Sequence, residues 1–287
     1  MNVLIPTNLR DDKGLARDAE VIASLLVDWG HAVEVFDFRG EPSSQRFDVA
    51  IHLEHVEPRH LGHAKENWYI PNAEWHMEGA RNALDAGRFS RVLCKTRQAE
   101  RVFSAMTDRA VFTGFECRDR FLPEVERERV FMHAPGQSGF RGTKAVCEAF
   151  EGGVPATLVF PRSMPESEYR REQNRCLFHL CTSELEGWGH TLHEALSVGA
   201  IVVTVDGPPM NEYEGVTYRI PTVRRDEFRL VERMIVDRKG VKAAIEWCLS
   251  LSAEEIARLS ALAREAFERE REEFRLILAG LIERGGA

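Results

Sequence analysis

The 287-residue sequence lacks the patterns that mark disulfide-stabilised, zinc-finger or membrane-spanning proteins. Its six cysteines form no C-x-x-C pair, which argues against a structural zinc site or a disulfide framework and suits a reducing cytosol. No apolar stretch approaches the ~20 residues that a membrane-spanning helix needs. The first residues, MNVLIPTNLR, meet charges at once and therefore predict a core strand rather than a signal peptide. We expect an intracellular, cytoplasmic protein.

An excess of positive charge is also missing. The chain carries 38 Lys and Arg against 46 Asp and Glu, a net charge of -8. Because phosphate backbones and anionic membranes require a concentrated cationic face, this balance argues against tight duplex binding. It does not exclude local contacts with nucleic acid. Two groups of arginines leave that possibility open: Arg118, Arg120, Arg127 and Arg129, and Arg219, Arg224 and Arg225.

The chain is long enough for two domains, and short β-type runs alternate with helical ones. Strands are predicted at residues 2–6, 31–38, 48–53, 67–70, 91–94, 110–113, 130–134, 156–160, 176–181, 200–205 and 216–220. Helices are predicted at residues 15–29, 98–106, 143–151, 166–174, 191–198 and from about 239 onward. The charged stretch 118–129 is the candidate linker. We therefore expect domains at residues 1–125 and 126–265, followed by a terminal helix at 266–287.

Residues 183–212, SELEGWGHTLHEALSVGAIVVTVDGPPMNE, combine a glycine loop, a helix, a strand and a second loop. Gly187 and Gly189 permit close approach of a ligand to the backbone, and the amides of 188–190 precede a helix whose dipole favours phosphate. Glu186 and Glu194 are suited to binding hydroxyl groups of a sugar or ribose. The segment therefore predicts a site for a phosphorylated sugar compound.

Simpler interpretations of the same residues remain open. Thr191-x-x-Glu194 and Ser183-x-x-Glu186 both match a capping box, in which the glutamate needs no ligand. His190 and His193 are metal ligands by residue type, but their spacing favours a surface or loop role. The side chain of Trp188 is expected to pack in the core.

The pattern E-G-W-G-x-x-x-x-E followed by A-L-S-V-G-A-I-V-V resembles the donor-binding signature of retaining GT-B glycosyltransferases of the family 4-like group. The resemblance implies two Rossmann-like parallel-sheet domains facing a cleft, with the C-terminal helix packing back on the first domain. It implies that Glu186 contacts the transferred sugar, Glu194 the ribose and loop 187–190 the diphosphate. The donor-binding set in this segment is Gly187, Trp188, Gly189, His190, Thr191, Glu194, Asn211 and Glu212.

The stretch 131–144, FMHAPGQSGFRGTK, resembles the family's G-R-x-x-x-x-K-G turn, in which two cations bind the leaving diphosphate. Arg141-Gly142 replaces the usual Lys-Gly, Gln137 stands where arginine is usual, and Lys144 is expected to supply further charge. Gly136 and Ser138 belong to the same donor loop, while Phe160 and Met164 are expected beside the base. An ordinary turn with solvated cations is the alternative. The chain has no Asp-x-Asp pair, so we expect no metal and no cofactor.

The first domain is expected to hold the acceptor. Lys13-Gly14 resembles the family's first glycine turn, and candidate acceptor-side residues lie at or after the carboxyl ends of predicted strands: His52, Glu54, Asn72 and Glu74. For any one of them, simple loop solvation is the alternative. The resemblance implies a retaining transferase that moves a sugar from a nucleoside-diphosphate sugar to a glycan, lipid, small molecule or modified nucleobase. A nucleotide-sugar epimerase and a non-catalytic nucleotide-sugar or glycan-binding protein remain the alternatives.

Overall fold

A computed structural model describes residues 1–9, 14–136 and 138–285. The chain divides into two compact units, one comprising Met1–Glu116 and Glu272–Ala287 and the other Cys117–Arg271. The second unit begins earlier than the sequence suggested, because residues 118–129 are not a free linker. Arg120, within that stretch, is only 8% exposed.

The first unit is built on a six-stranded sheet in the order β2-β1-β3-β4-β5-β6, and every neighbouring pair is parallel. The strands are β1 (Asn2–Thr7), β2 (Ala32–Asp37), β3 (Phe47–Leu53), β4 (Ala64–Ile70), β5 (Arg91–Cys94) and β6 (Ala110–Phe112). The helices are α1 (Gly14–Asp28), α2 (Glu78–Asp85) and α3 (Arg97–Ser104), with short 3₁₀ helices at Pro58–Gly62 and Ala73–Trp75. The direction of strand order reverses between β1 and β3.

Burial of apolar faces explains these elements. β1 carries a continuous apolar run, and Leu4 and Ile5 are fully buried, as expected for a strand covered on both faces. α1 presents Ile22 and Leu26, both fully buried, to the core. Gly30 has φ 84°, a left-handed conformation that glycine adopts without strain, and it follows the helix end as the sequence predicted.

The second unit holds a five-stranded parallel sheet in the order β11-β10-β9-β7-β8. Its strands are β7 (Glu128–Met132), β8 (Leu158–Val159), β9 (Cys176–Cys181), β10 (Ile201–Val205) and β11 (Tyr218–Ile220). Its helices are α4 (Thr143–Glu151), α5 (Glu166–Arg175), α6 (His190–Ser197), α7 (Arg238–Ser250) and α8 (Ala253–Gly285). The part of α8 from Glu272 onward belongs to the first unit. Here the strand order reverses between β7 and β9. The expectation of two parallel-sheet α/β units is confirmed.

An antiparallel hairpin in the second unit was not predicted. It consists of β12 (Arg224–Phe228) and β13 (Val231–Ile235), and Phe228 pairs with Val231 across a two-residue turn. The alternation of apolar and charged residues in VERMI is the sequence signal that favours such a strand. Two further differences concern α2, which was also not predicted, and β8, which occupies only two residues of the predicted strand 156–160.

Within the part of the chain that the structure describes, no helix combines the length and the apolar character needed to cross a membrane.

Candidate functional site

A pocket in the second unit lies where the chain leaves β7 and β9. In an open parallel sheet, ligands bind at the carboxyl ends of the strands where the strand order reverses, and β7 and β9 flank that point. Residues that line the pocket include His133, Arg141, Tyr169, Gln173, Ser183 and Thr191. The sheet topology and the pocket therefore indicate the same place.

Two loops, 138–142 and 182–186, are tied together beside this pocket. The Glu184 N–H donates to the Phe140 carbonyl at 2.7 Å, and the Thr182 hydroxyl donates to the Arg141 carbonyl at 2.9 Å. Gly142 has φ 65°, and a Cβ placed there would lie 2.3 Å from the Thr182 carbonyl oxygen. Only glycine allows this approach of the two backbones.

The two loops bring together Arg141 and Glu186, the cation and the carboxylate that the sequence singled out. Arg141 Nη1 donates to Glu186 Oε1 and, at 3.0 Å, to the hydroxyl of Ser183. Both charged side chains are partly buried, with 22% and 13% of their surface exposed. Arg141 Nε is buried and has no hydrogen-bond partner among the described residues. The guanidinium of Arg141 is thus oriented by Glu186 and Ser183 beside the pocket that Arg141 lines.

Glycines begin the helices that follow both strands. Gly142 is the N-cap of α4 and Gly189 the N-cap of α6, with φ 65° and 98°. A glycine N-cap has no side chain to occupy the first N–H groups of its helix, which leaves them for a ligand. α6 begins at His190, so Thr191 cannot be its N-cap residue, and Ser183 is followed by a loop instead of a helix. Both capping-box interpretations are therefore wrong.

Glu194 lies inside α6 and is only 3% exposed. Its Oε2 accepts a hydrogen bond from Gln173 Nε2 at 2.8 Å and one from the Tyr169 hydroxyl at 3.4 Å. The side-chain oxygen Oε1 of Gln173 also accepts a hydrogen bond from Arg120 Nε. Glu194 is thus held by a buried polar network that joins α6 to α5 through Tyr169 and Gln173, two residues that line the pocket.

Aromatic rings hold loop 187–190. The Trp188 side chain is 3% exposed and stacks on His193, with ring centroids 3.7 Å apart. The Tyr213 hydroxyl donates to the Trp188 carbonyl at 2.6 Å, and His193 Nδ1 lies 3.0 Å from the Gly189 carbonyl oxygen. The half-buried His190 ring meets Trp188 edge-on. The expected packing role of Trp188 is confirmed, and His193 is a buried packing residue rather than a loop or surface one.

His133 is a site residue that the sequence analysis missed. It follows β7 directly, and its ring lies between the Leu180 carbonyl oxygen, 2.8 Å from Nδ1, and the Thr143 hydroxyl, 2.9 Å from Nε2. Burial lowers the pKa of His133 to about 4, and the nearby Arg141 and Arg162 act in the same direction. A neutral ring with its proton on Nδ1 satisfies both contacts. A histidine immediately before the glycine loop was the available signal.

Of the other residues predicted to bind the donor, Gly136 and Ser138 lie near Arg141 in the structure, whereas Lys144 does not. Lys144 is 89% exposed on its side chain and lies 3.8 Å from Glu148, so the structure does not bring it to Arg141 and Glu186. A Cβ placed on Gly136 would lie 3.9 Å from Arg141 Nε, and the Ser138 hydroxyl accepts from the Phe140 amide at 3.2 Å. Lys13 and Gln137 lie outside the described residues.

The residues predicted beside the base, Phe160 and Met164, are half-buried in the loop after β8. Asn211 and Glu212, predicted in the second loop of the donor site, are half-buried after β10. Phe160 follows β8 and meets the His133 ring edge-on at 5.6 Å, and Met164 lies farther along the same loop. Asn211 donates through Nδ2 to Asp206 at 3.0 Å in the turn after β10. The Glu212 amide donates to the Pro209 carbonyl in that turn.

The acceptor-side candidates separate into core and edge residues. His52 is fully buried within β3, bonds Asn67 at 3.0 Å and has its pKa lowered by burial to about 4. It is a core residue, because a central strand covered on both faces buries alternate side chains on either side. Its predicted position in a cleft is therefore wrong. Gly14 begins α1 and is exposed.

Glu54 and Asn72 meet where β3 and β4 end. Asn72 Nδ2 donates to Glu54 Oε2 at 2.7 Å, while His55 Nε2 lies 3.2 Å from the other carboxylate oxygen. Burial raises the pKa of Glu54, against the opposing effects of Asn72 and His55. Glu54 also has φ 57°, uncommon for a residue with a side chain. Glu74 is buried in the 3₁₀ helix that follows Asn72.

Comparison with known proteins connects this architecture with solved structures. No protein family model and no curated protein sequence matches the chain. Anabaena HepE in complex with UDP and glucose superposes with a TM-score of 0.70 at 14% identity, covering 99% of both chains. Sucrose-phosphate synthase from Thermosynechococcus elongatus superposes with a TM-score of 0.73 at 11% identity, covering 99% of this chain and 98% of the other.

The fold is GT-B. The fold class predicted from the sequence is thus confirmed at the level of its two parallel-sheet α/β domains. The pneumococcal O-GlcNAc transferase GtfA in complex with UDP and GlcNAc is also similar, with a TM-score of 0.60 at 15% identity. The chain spans 57% of that GtfA chain and 58% of a chain in the GtfA/B complex.

The second unit of this GT-B chain combines three chemical features at one end of its sheet. Two glycine-capped helix N-termini attract anionic oxygens, Arg141 supplies a fixed positive charge, and Glu186 can accept hydroxyl hydrogen bonds. The neutral His133 fixes the end of β7 without adding charge. The arrangement suits a ligand with a diphosphate next to a polyhydroxylated group.

Proposed function

We propose that this protein is a glycosyltransferase that moves a sugar from a nucleoside-diphosphate sugar to a hydroxyl acceptor with retention of configuration. The observation that carries the proposal is the Arg141–Glu186 pair, which lies at the strand-order reversal between two glycine-capped helix N-termini. A cation for the leaving diphosphate and a carboxylate for sugar hydroxyls are the groups that this reaction requires.

Each residue has a proposed role. Arg141 and the first amides of α4 and α6 hold the diphosphate, and Glu186 binds hydroxyls of the transferred sugar. Glu194 binds the ribose, for which its present contact with Gln173 must be shared or exchanged. His133 is a positioning residue, because it acts through the loop that carries Arg141.

The proposed reaction needs no protein nucleophile. As the bond from the anomeric carbon to the diphosphate breaks, negative charge develops on the diphosphate oxygens, and fixed positive groups stabilise that charge. The acceptor hydroxyl attacks from the same face and gives its proton to the departing phosphate oxygen. The protein contributes orientation and electrostatic stabilisation, which we propose to be independent of a metal ion.

Two considerations narrow the substrates. HepE and GtfA were solved with UDP, together with glucose and GlcNAc respectively, so UDP-sugars are the first donors to test. On the acceptor side, Glu54 with Asn72 offers a carboxylate for a hydroxyl of a glycan, lipid, small molecule or modified nucleobase. We propose a cytoplasmic location, since the cysteines show no disulfide framework.

A donor screen tests the proposal. UDP, GDP, ADP, CMP and dTDP sugars are added to the protein with and without magnesium, and the unfolding temperature is measured. A true donor at a hundredfold excess over its Kd stabilises the fold by about 2.7 kcal/mol. Glu186→Gln should weaken binding of the UDP-sugar more than binding of UDP alone.

The products distinguish the alternatives. Release of free sugar from the donor without acceptor, and an unchanged anomeric configuration in the product, support a retaining transferase. A new sugar stereoisomer formed from donor alone would identify an epimerase. Donor binding with no hydrolysis and no transfer to any acceptor class would indicate a binding protein and contradict the proposal.

A further inference from the structure

Three potential metal ligands meet in the first unit, in a cluster of Glu41, His60 and His63. One ligand atom from each of these residues lies within 4.8 Å of the other two. Glu41 follows β2, whereas His60 and His63 belong to the connection between β3 and β4, which contains the 3₁₀ helix Pro58–Gly62. Two segments that are separate in the sequence therefore supply the cluster.

His60 carries the most informative contact. Its ring is fully buried, and Nε2 lies 2.8 Å from the Phe38 carbonyl oxygen, which can only accept a hydrogen bond. Nε2 therefore holds the proton in the neutral ring and leaves a lone pair on Nδ1. Nδ1 is buried and has no hydrogen-bond partner among the described residues. A histidine that donates through one ring nitrogen to a backbone carbonyl and offers the other is the arrangement of a metal ligand.

Glu41 is also oriented by its neighbours. Arg59 Nη1 donates to Glu41 Oε1 at 2.7 Å, and Arg59 Nη2 donates to the Phe38 and Arg39 carbonyls at 3.0 and 2.9 Å. The guanidinium thus occupies one carboxylate oxygen and leaves the other available. Carboxylates that bind metals are themselves hydrogen-bonded in this way.

From these contacts we infer that Glu41, His60 and His63 bind one zinc ion. Two imidazole nitrogens and one carboxylate oxygen, completed by water, form a tetrahedral zinc set. Magnesium and calcium prefer sets made of oxygen atoms, so the two histidines disfavour both ions.

The site has a structural use. β3 and β4 are parallel neighbours, and parallel strands are usually joined through an α-helix that packs on the sheet. Between Leu53 and Ala64 the chain forms only a short 3₁₀ helix. A zinc ion would fasten this connection to the turn after β2. The inference is independent of the proposed transferase activity.

Zinc binding by the full-length, untagged protein tests the inference. After chelator treatment, the protein is dialysed against zinc chloride, and bound zinc is counted by elemental analysis. Wild type should bind one zinc per chain, with a rise in unfolding temperature. Cobalt(II) should give the visible absorption bands of a tetrahedral site.

Matched variants locate the site. Glu41→Gln and His63→Ala change residues that are not fully buried, so both proteins should fold. Each should weaken zinc binding by about tenfold or more and lose the temperature rise. His31→Ala, at a half-buried histidine whose Nδ1 contacts the N-terminal amine, is the control and should bind zinc like wild type. Absent zinc binding in wild type, or equal binding in all four proteins, would overturn the inference.

Discussion

At the scale of single residues, the candidate site depends on two long-range contacts. Arg141 reaches Glu186 across the sheet end, and Gly142 lets the backbone before α4 approach Thr182. The first contact places charge and the second sets the distance between the loops. Each can be tested by one substitution with a neighbouring control.

Arg141→Ala should lower turnover of the donor by about 10²–10³-fold while changing donor KM much less. The reason is that the guanidinium opposes charge that develops only as the diphosphate departs. Steady-state kinetics measure both constants. Arg171→Ala, at an exposed arginine on α5, is the control. Unchanged kcat in Arg141→Ala would contradict the role given to this residue.

Gly142→Ala should lower the free energy of unfolding by about 2 kcal/mol or more, because φ 65° strains a side chain and the new Cβ meets the Thr182 carbonyl. Urea unfolding measures the loss. Gly139→Ala is the matched control in the same loop, since a Cβ there has no atom within 4 Å. Equal stability of the two variants would show that the loops do not meet as described.

At the scale of elements, the hairpin β12–β13 supports the site without belonging to it. Arg233 Nε donates to the buried Glu184 carboxylate at 2.7 Å, and its guanidinium lies over the Phe140 ring at 5.1 Å. The Met234 amide donates to the Glu184 carbonyl at 2.7 Å. β13 therefore holds both loops, 138–142 and 182–186.

Arg233→Met should lower the free energy of unfolding by about 1–2 kcal/mol, a value below that of a fully buried pair because Arg233 is 31% exposed. It leaves the Glu184 carboxylate buried without its ion partner, so loop 182–186 should also exchange its amide hydrogens faster. Arg225→Met is the control on the same hairpin, because Arg225 is 57% exposed and lies 3.7 Å from Glu232. If both variants lose the same free energy of unfolding, the contact between Arg233 and Glu184 does not stabilise the loops more than an exposed ion pair does.

At the scale of the whole molecule, acid should destabilise the second unit. Burial lowers the pKa of His133 and of His179 to about 4, with Arg141 and Arg162 adding to the effect on the first and Arg127 on the second. Between about pH 6.5 and 4, both histidines are protonated in the unfolded chain but stay neutral in the folded chain. Stability is therefore complete above about pH 6.5 and falls as the pH falls towards 4.

At pH 5 each of these histidines should cost about 2 kcal/mol of stability relative to neutral pH. Urea unfolding at pH 7.5 and pH 5 measures the loss. His133→Gln has no imidazole to protonate and should show a smaller difference between the two pH values than wild type. An equal pH dependence in wild type and His133→Gln would contradict a neutral, buried His133.

Much of the molecule could be predicted from local patterns. The apolar run of β1, the amphipathic face of α1 and the strand 176–181 were placed within a few residues of their observed bounds. The glycine spacing in 186–194 predicted a loop before a helix. The hairpin was missed because its charged strands carry only a weak alternation, and β8 was overestimated because an edge strand forms few pairs.

Apart from α2 and the hairpin β12–β13, the sequence by itself determined the type and order of the main strands and helices, and with them two α/β units, because hydrophobic period and glycine position act between near neighbours in the chain. Only the tertiary structure decided that Arg141 joins Glu186 while Lys144 turns to solvent, and that His133 is neutral. It also decided that Glu194 is held by Gln173 instead of capping its helix. These outcomes depend on burial and on contacts between residues far apart in the chain, which no local pattern contains.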